Sequence, residues 1–223
     1  MLRQPFGSRN TAIVTARSVL WNQGTWTTEP NAARHIGSSL VVEALEGSDF
    51  WQRTLYGFDH DNGHALLAPF DRHHGAEVEF ELASLTALYD QAGLMLRAGP
   101  DRWIKAGVEI TDGVAHIGAV VTHQSSDWSL SPVPDWLGGT VTVRASQMND
   151  AVVIRVRREE QPWRTIRVAP LFGDQPILAG PFLCAPTRPG LEVTFRSWRR
   201  TAPDADLHSA PPAHDRDARD PGS

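Results

Sequence analysis

The sequence predicts an all-β protein, a jelly-roll sandwich of two antiparallel sheets. Apolar and polar residues alternate along most of residues 12–198, turn dipeptides separate the alternating segments, and no stretch has the periodicity of an amphipathic helix. Many antiparallel strands without helices bury their apolar faces in two packed sheets or in a closed barrel. With 223 residues, 41% of them hydrophobic, the chain is long enough for one such domain.

The alternating segments define the main predicted strands in chain order. They cover residues 39–46, 76–82, 103–110, 114–122, 140–145, 152–157 and 191–198. The predicted turns between strands are Asn62-Gly63, Gly99-Pro100-Asp101, Asp112-Gly113, Asn149-Asp150, Gly173-Asp174 and Pro189-Gly190. With shorter extended segments between them, the pattern indicates roughly a dozen strands and at most one helical turn, within residues 83–91.

Residues 201–223 differ in composition from the rest of the chain. They carry five Asp, four Pro, two Arg and one large apolar residue, Leu207, for a net charge of −3. Such a segment buries too little apolar surface to offset the entropy lost on ordering. We therefore expect a single β-sandwich domain over residues 1–200 and a disordered, acidic, proline-containing tail over residues 201–223.

Composition also limits the function classes. A net charge of −5 argues against a nucleic-acid-binding protein. No apolar run is long enough to span a membrane, and residues 1–20 lack a signal-peptide pattern. A single cysteine, Cys184, is typical of a cytoplasmic protein. We expect a cytoplasmic protein without a cofactor, a metal site, a nucleic-acid partner or a membrane partner.

Lysine is rare in this chain. Of the 21 basic residues, only Lys105 is a lysine, and the others are arginine. Codon bias in a GC-rich genome accounts for such a ratio. However, lysine and arginine are not interchangeable where a site needs a compact, titratable charge. The surroundings of Lys105 therefore matter for the search for a functional site.

The register of the strands around Lys105 can be predicted. If residues 98–102 and Asp112-Gly113 form the two turns, Arg97 pairs with Trp103 and Thr111 pairs with Val114. One face of the three strands is then entirely apolar, and a shift of one residue would destroy this agreement. The opposite face carries a row of three glycines flanked by polar and apolar side chains: Gly93, Gly107 and Gly118, with Gln91, Glu109 and His116 on one side and Met95, Lys105 and Val120 on the other.

The glycine row has two interpretations. In the first, the sheet bends there or another part of the chain crosses it, and Lys105 and Glu109 are surface charges or a structural ion pair. In the second, the row is the floor of a ligand groove on which a flat ring, such as a sugar, lies. The groove interpretation requires Lys105 and Glu109 on the same face of the sheet.

Five strings of residues resemble one known family, in the family's order. They are SDFWQRTLYGF at residues 48–58, DNGH at 61–64, YDQAGLMLR at 89–97, WIKAGVE at 103–109 and SDWS at 126–129. They are similar to the "regulation of enolase" family, a domain of unknown function, over about residues 18–198. The resemblance implies a concanavalin A-like lectin/glucanase fold, that is, a jelly-roll sandwich, and it implies no known reaction.

Two further patterns suggest other sites. Glu77, Glu79 and Glu81 alternate along one strand, as in the acidic triplet of retaining glucanases, but an exposed strand face explains the same pattern. Residues 59–64 suggest a metal loop, but they lack the full calcium-binding pattern and fit an Asn-Gly turn with polar flanks.

We expect the concave sheet face to bind a carbohydrate or another small polar ligand. Lys105 and Glu109 would hydrogen-bond hydroxyl groups, and an aromatic side chain would stack on the ring. The predicted ligand-binding residues are Tyr89, Gln91, Lys105, Glu109, His116, Trp51, Tyr56, His64, Asp127 and Trp128.

Two alternative functions remain open. The first is a glycan-acting enzyme, similar to a glycosidase or a lyase, with Glu109 as general acid or base and Lys105 tuning it. The second is a protein-interaction module that regulates a metabolic enzyme, as the family name suggests, with a protein as its partner.

Overall fold

The computed structural model describes residues 16–173 and 175–213. These residues form 17 strands and two short 3₁₀ helices, Trp21–Gln23 and Pro134–Trp136. Strands are numbered in chain order. One sheet, the back sheet, runs in the order β15 (Arg164–Pro170), β14 (Ala151–Arg158), β13 (Thr140–Met148), β8 (Gly75–Glu81), β17 (Glu192–Thr201), β4 (Ser39–Glu43) and β3 (Ala32–Ile36), with β1 (Arg17–Ser18) paired to β17.

The other sheet, the front sheet, runs in the order β12 (Ser125–Pro132), β11 (Val114–His123), β10 (Arg102–Thr111), β9 (Gln91–Gly99), β16 (Leu178–Cys184), β7 (His64–Pro69) and β2 (Thr25–Trp26). A separate hairpin, called the β5–β6 hairpin, is formed by β5 (Phe50–Gln52) and β6 (Asp59–Asp61). All pairings between these strands are antiparallel. The predicted sandwich of two antiparallel sheets is therefore confirmed.

The main core lies between the two sheets. It contains the apolar face predicted for β9, β10 and β11, including Leu94, Ile104 and Ile117. The back sheet contributes Val78 and Phe80, both fully buried, among others. Burial of each large apolar side chain contributes about 1.5–3 kcal/mol, which makes this core the main source of stability.

A second, smaller apolar cluster lies on the outer face of the front sheet. The β5–β6 hairpin places Phe50 and Trp51 against Met95, Trp103 and Phe182 of that sheet. The hairpin therefore covers part of the face on which the sequence predicted a ligand groove.

The predicted register of β9, β10 and β11 is confirmed. Gly107 lies opposite Gly93 on one side and Gly118 on the other, and Glu109 lies opposite Gln91. Lys105 and Glu109 are four residues apart on one strand and share a face, because side chains alternate along a strand. Asp112 and Gly113 have positive φ values of 52° and 74°, as a type I′ hairpin turn requires.

Other details of the strand prediction need correction. The structure has more strands than expected, because β1, β2, β5 and β6 have only two or three residues each and cannot show alternation. Residues 83–91 contain turns and no helix. Asn62-Gly63 is not a hairpin turn, since β6 and β7 belong to different sheets. The turn predicted at Gly173-Asp174 includes Asp174, which lies outside the described residues.

The acidic triplet does not form a glucanase-like site. Glu77 is buried and forms an ion pair with Arg144, with 2.7 Å between Oε1 and Nη1. Glu81 pairs with Arg196. The alternate residues Val78 and Phe80 face the main core, so these carboxylates lie on the outer face of the back sheet, away from the β5–β6 hairpin.

The disorder predicted from residue 201 is wrong for residues 201–213. Asp204 is buried and accepts a hydrogen bond from Arg144 Nε at 2.8 Å, and it lies 3.0 Å from Arg155 Nε. Arg155 also donates to the carbonyl oxygens of Asp206, Leu207 and Ser209. Buried guanidinium groups need acceptors, and this segment supplies them. Residues 214–223 lie outside the described part of the chain.

None of the helices within residues 16–173 and 175–213 has the length and apolar character needed to cross a lipid bilayer.

Candidate ligand-binding site

A cavity of about 380 Å³ lies between the front sheet and the β5–β6 hairpin. Its polar lining consists mainly of side chains from β9, β10 and the residues next to the hairpin, and its apolar lining is mostly aromatic. The lining residues are Gly47, Asp49, Trp51, Tyr56, Phe58, His60, Tyr89, Gln91, Lys105, Glu109, Val120, Trp128 and Pro186.

Lys105 is the centre of a buried polar network in this cavity. Its Nζ donates to Asp49 Oδ1 at 2.9 Å and to Gln91 Oε1 at 2.8 Å, and its side chain is only 5% exposed. Burial acts to lower the pKa of Lys105. The negative charge of Asp49 and its hydrogen bond act in the opposite direction, and the net result is a raised pKa. Lys105 is therefore a cation held in place by a carboxylate.

Glu109 lies four residues further along β10 and also lines the cavity. Its Oε1 accepts a hydrogen bond from the hydroxyl of Thr111 at 3.0 Å. Burial raises the pKa of Glu109, and the positive charge of Lys105 offsets this only in part. Among the described residues, Glu109 forms no salt bridge.

Asp49 reaches Lys105 because Asn62 braces the segment that carries it. Asn62 Oδ1 accepts a hydrogen bond from the backbone N–H of Asp49 at 3.0 Å, and its Nδ2 donates to the carbonyl oxygen of Gly47 at 3.0 Å. The backbone N–H groups of Asn62 and Gly63 donate to the carbonyl oxygen of Asp49. The DNGH string therefore positions the carboxylate, which is a structural role for the segment that suggested a metal loop.

The aromatic wall of the cavity starts at Trp51. Its ring is steeply inclined to those of Trp128 and Tyr56, with interplanar angles of 85° and 65° and centroid distances of 6.1 and 5.7 Å. Tyr56 stacks on Phe58 at 5.4 Å. Flat apolar faces next to a few fixed polar groups are typical of sites that bind small ligands.

Tyr89 completes the wall near Glu109. Its φ of 62° is unusual for a residue other than glycine, and its backbone N–H donates to the carbonyl oxygen of Ile110 at 2.7 Å. A hydrogen bond with Tyr56, followed by burial, raises the pKa of the Tyr89 hydroxyl. Backbone strain of this kind costs about 1–3 kcal/mol and is found most often at functional sites.

The glycine row is not the floor of this cavity. A β-carbon at Gly107 would lie 2.0 Å from the carbonyl oxygen of Ala92, and one at Gly93 would lie 2.1 Å from that of Ala106. The free space along Gly107 and Gly118 is about 20 Å³, which holds about one water molecule. The glycines therefore allow close contact between strands, and they do not line the larger cavity.

Comparison with known proteins identifies the family. The model of the family described as "Protein of unknown function (DUF1349)" matches residues 26–203. The chain belongs to this family. Regulation of enolase protein 1 of Saccharomyces cerevisiae is 36% identical over 194 residues, which cover 86% of this chain and 96% of the yeast protein. An uncharacterized protein of Emericella nidulans is 38% identical over 109 residues, or 46% of this chain and 52% of that protein.

Solved structures show the same fold. A crystal structure of a functionally unknown protein from Saccharomyces cerevisiae has a TM-score of 0.77 and 36% identity, covering 83% of this chain and 99% of that chain. A xylan β-1,4-xylosidase from Bacillus halodurans has a TM-score of 0.64 at 13% identity, covering 90% of this chain. The DUF1349 chain spans 41% of the length of that xylosidase. At this identity the likeness shows the fold alone.

Seven of the ten residues predicted for the site of this DUF1349 protein line the cavity. They are Trp51, Tyr56, Tyr89, Gln91, Lys105, Glu109 and Trp128. All seven belong to the strings that resemble the family, and alternation along β9 and β10 also placed Gln91, Lys105 and Glu109 on one face, which is why the sequence predicted them.

Three predicted residues do not line the cavity. His64 is fully buried: its Nε2 accepts from the N–H of Leu45, its Nδ1 donates to the carbonyl oxygen of Thr28, and burial lowers its pKa. Asp127 faces away from the cavity and pairs with Arg167. His116 lies opposite Glu109, but its Nδ1 contacts the carbonyl oxygen of Val114. The structure therefore does not place these three residues in the cavity lining, and each has its own neighbouring contact.

Sequence reasoning missed Asp49, the partner of Lys105, and the aromatic residues Phe58 and His60. Asp49 precedes β5 and reaches Lys105 only because the hairpin packs on the front sheet. The signal was available, since all but His60 belong to the first string that resembles the family.

The cavity combines a fixed cation, two carboxyl groups and an aromatic wall. Within residues 16–173 and 175–213, no group of three or more His, Cys, Asp or Glu side chains is arranged to hold a metal ion. The groups that are present can exchange hydrogen bonds with a small polar ligand and contact its apolar face.

Proposed function

We propose that this cavity binds a single ring of a sugar or of a similar polyhydroxylated molecule. The observation that carries the proposal is the convergence of Lys105, Asp49 and Glu109 on one cavity whose remaining walls are largely aromatic. A sugar ring has hydroxyl groups around its edge and an apolar face, so it matches both kinds of lining. A cavity of about 380 Å³ lies within the range of small-molecule sites.

The polar groups are held before any ligand enters. Lys105 is fixed by two acceptors, Asp49 is braced by Asn62, and Glu109 is held by Thr111. Preorganised groups lose little conformational entropy on binding, so more of the interaction energy contributes to affinity. This arrangement supports a ligand-binding role for Lys105.

The structural relatives suggest which ligands to try first. One protein with this fold is described as a xylan β-1,4-xylosidase, another as a GH43 glycoside hydrolase, and a third as the CBM2 module of the evolved Dit of a Lactobacillus casei phage. Their low identity shows the fold alone, so they guide the choice of probes and do not carry the proposal. D-Xylose, L-arabinose and D-glucose are suitable first probes.

The test is isothermal titration calorimetry with these three sugars. Trp128→Ala removes a half-buried part of the aromatic wall and should weaken binding about two- to twelvefold, since aromatic contacts contribute about 0.5–1.5 kcal/mol. Trp163→Ala is the matched control, because Trp163 lies outside the cavity and contacts Arg157. If Lys105→Met leaves the affinity of every bound sugar unchanged, the site is assigned wrongly.

A second candidate function, a glycan-acting enzyme, is favoured by one observation. Burial raises the pKa of Glu109, which faces the cavity, and a general acid that works near neutral pH needs such a raised pKa. Turnover of a bound oligosaccharide, measured by chromatography of the products, distinguishes this function from binding alone. Loss of turnover in Glu109→Gln with binding retained supports it, and the absence of turnover on any glycan that binds argues against it.

A further inference from the structure

The hydrogen-bonding groups that the charged residues Asp49, Glu109 and Lys105 leave free are mostly acceptors. Oδ1 of Asp49 accepts hydrogen bonds from Lys105 Nζ and from the backbone N–H of Phe50, and no described residue donates to its Oδ2. Oε1 of Glu109 accepts a hydrogen bond from the hydroxyl of Thr111, and no described residue donates to its Oε2. Lys105 has already given two of its three N–H groups to Asp49 and Gln91. A ligand therefore meets two carboxyl oxygens and a single N–H donor on these three residues.

The charges of the cavity do not cancel. The positive charge of Lys105 is matched by Asp49, which leaves Glu109 without a salt-bridge partner among the described residues. Arg97, the arginine of β9, is occupied by a bidentate pair with Asp61, with both distances 2.7 Å. Ionised Glu109 thus gives the site an excess of one negative charge.

The aromatic wall of the cavity also favours a positively charged ligand group. The ring of Trp51 stands at steep angles to those of Trp128 and Tyr56, on the side of the cavity formed by the hairpin and β12. The face of an aromatic ring carries negative electrostatic potential and attracts a cation within about 6 Å. Acceptors, net charge and ring faces all favour a positively charged donor.

We propose that the cavity selects a sugar ring that carries an amino group in its ammonium form, and that this ammonium group binds Glu109. The inference rests on the proposed function and names the class of ring that the site prefers. A carboxylate or phosphate on the ring is disfavoured, because it brings only acceptors and a negative charge to Glu109 and Asp49.

Part of the preference for an ammonium group comes from the free-energy cost of burying the ionised carboxylate of Glu109. Burial raises the pKa of Glu109, which means that the ionised form is less stable in the unliganded cavity than on an exposed glutamate. An ammonium group would donate to Oε2 and offset that cost. A hydrogen bond between charged groups is stronger than one between a carboxylate and a neutral hydroxyl.

The test compares rings of one shape and different charge by calorimetry on the full chain at neutral pH and low ionic strength. The probes are D-glucosamine, D-glucose, N-acetyl-D-glucosamine and D-glucuronate. We expect D-glucosamine to bind about tenfold more tightly than D-glucose, and D-glucuronate to bind most weakly. N-Acetyl-D-glucosamine has a substituent at the same position without the charge, and it should not show the gain.

Glu109→Gln keeps the size of the side chain and removes its charge. In this variant the preference for D-glucosamine over D-glucose should disappear while D-glucose still binds. Glu192→Gln is the matched control, because Glu192 is a partly exposed residue of the back sheet paired with Arg34, and it should leave the preference unchanged. The ranking of the four probes by the unmodified protein tests the proposal even if Glu109→Gln does not fold.

The outcomes separate the two proposals. If none of the sugars binds, the proposed function fails and this inference fails with it. If D-glucose binds as tightly as D-glucosamine, the preference for an amino group is wrong and the sugar-binding function stands. If Glu109→Gln folds and keeps the preference, the assignment of the ammonium group to Glu109 is wrong.

Discussion

Glu109 gives this protein a specific dependence of stability on pH. Burial raises its pKa above 4.5, the value of the exposed group. At pH values between 4.5 and the raised pKa, the folded protein holds a proton that the unfolded chain has released. The contribution of this residue to stability is therefore lost as the pH rises through that window.

Replacing Glu109 by glutamine should remove this effect. We expect Glu109→Gln to raise the free energy of unfolding relative to the unmodified protein at about pH 7, and to change it little at about pH 4, where the carboxyl group is protonated in both states. Urea denaturation at the two pH values measures the difference. A variant that is equally stabilised at both pH values would show that the pKa of Glu109 is not raised.

A second residue-scale prediction concerns the glycine row. Gly107→Ala places a β-carbon 2.0 Å from the carbonyl oxygen of Ala92, which is part of a backbone that cannot move freely. We expect a loss of about 2–3 kcal/mol in the free energy of unfolding, typical of an overpacked site. Gly99→Ala is the control, because the nearest atom to its β-carbon is 3.9 Å away. Equal stability of the two variants in urea denaturation would contradict this account.

At the scale of elements, two segments each cover one sheet. The β5–β6 hairpin forms one wall of the cavity on the front sheet, and the segment after β17 covers buried arginines of the back sheet. The hairpin is tied to β9 by the Arg97–Asp61 pair and to β12 by the hydrogen bond from the N–H of Gln52 to Ser126 Oγ at 3.0 Å. The last segment places Asp204 between Arg144 and Arg155. Both elements use charged or polar contacts to close a sheet face.

The ion pairs of Asp204 should matter more than exposed ones. Its side chain is 1% exposed, and Asp204→Asn leaves the buried guanidinium groups of Arg144 and Arg155 without their counter-charge. We expect a loss of about 3 kcal/mol in the free energy of unfolding. Asp127→Asn removes a pair with Arg167 in which Asp127 is 67% exposed, and it should cost less than about 1 kcal/mol.

Thermal and urea denaturation of both variants measure the difference. A small effect of Asp204→Asn would mean that solvent replaces the segment over the two arginines. The same result would also restore the view of residues 201–213 as a tail that the domain does not need.

At the scale of the whole molecule, the topology brings distant parts of the chain together. β17 pairs with β8, so Thr201 lies opposite Gly75, and it also pairs with β1, so Arg200 lies opposite Arg17. Such pairings must overcome the entropy of closing long loops before their contacts form. The sandwich therefore has many non-local contacts and few local ones.

Refolding should be slow for this reason. We expect refolding after dilution from urea to take milliseconds to seconds, as in other domains dominated by non-local strand pairing. Stopped-flow measurement of tryptophan fluorescence can follow it, since the chain has eight tryptophans. Complete refolding within about 100 μs would contradict the dominance of non-local pairing.

The sequence was most informative where the structure depends on residues close together in the chain. Alternation and turn chemistry predicted the long strands and the pairing of Lys105 with Met95 and Val120, because a short hairpin leaves few possible registers. The same information failed for the two- and three-residue strands β5 and β6, which are too short to show a period.

The sequence by itself determined the fold class, the family and the face of β10 on which Lys105 and Glu109 lie. Only the tertiary structure decided that Asp49, 56 positions before Lys105, is its partner, that the glycines serve strand contact, and that His64 is buried. Side-chain alternation is a local property of one strand, so the sequence displays it directly. The packing of the hairpin on the sheet depends on the energy of many distant contacts at once, and no local pattern records it.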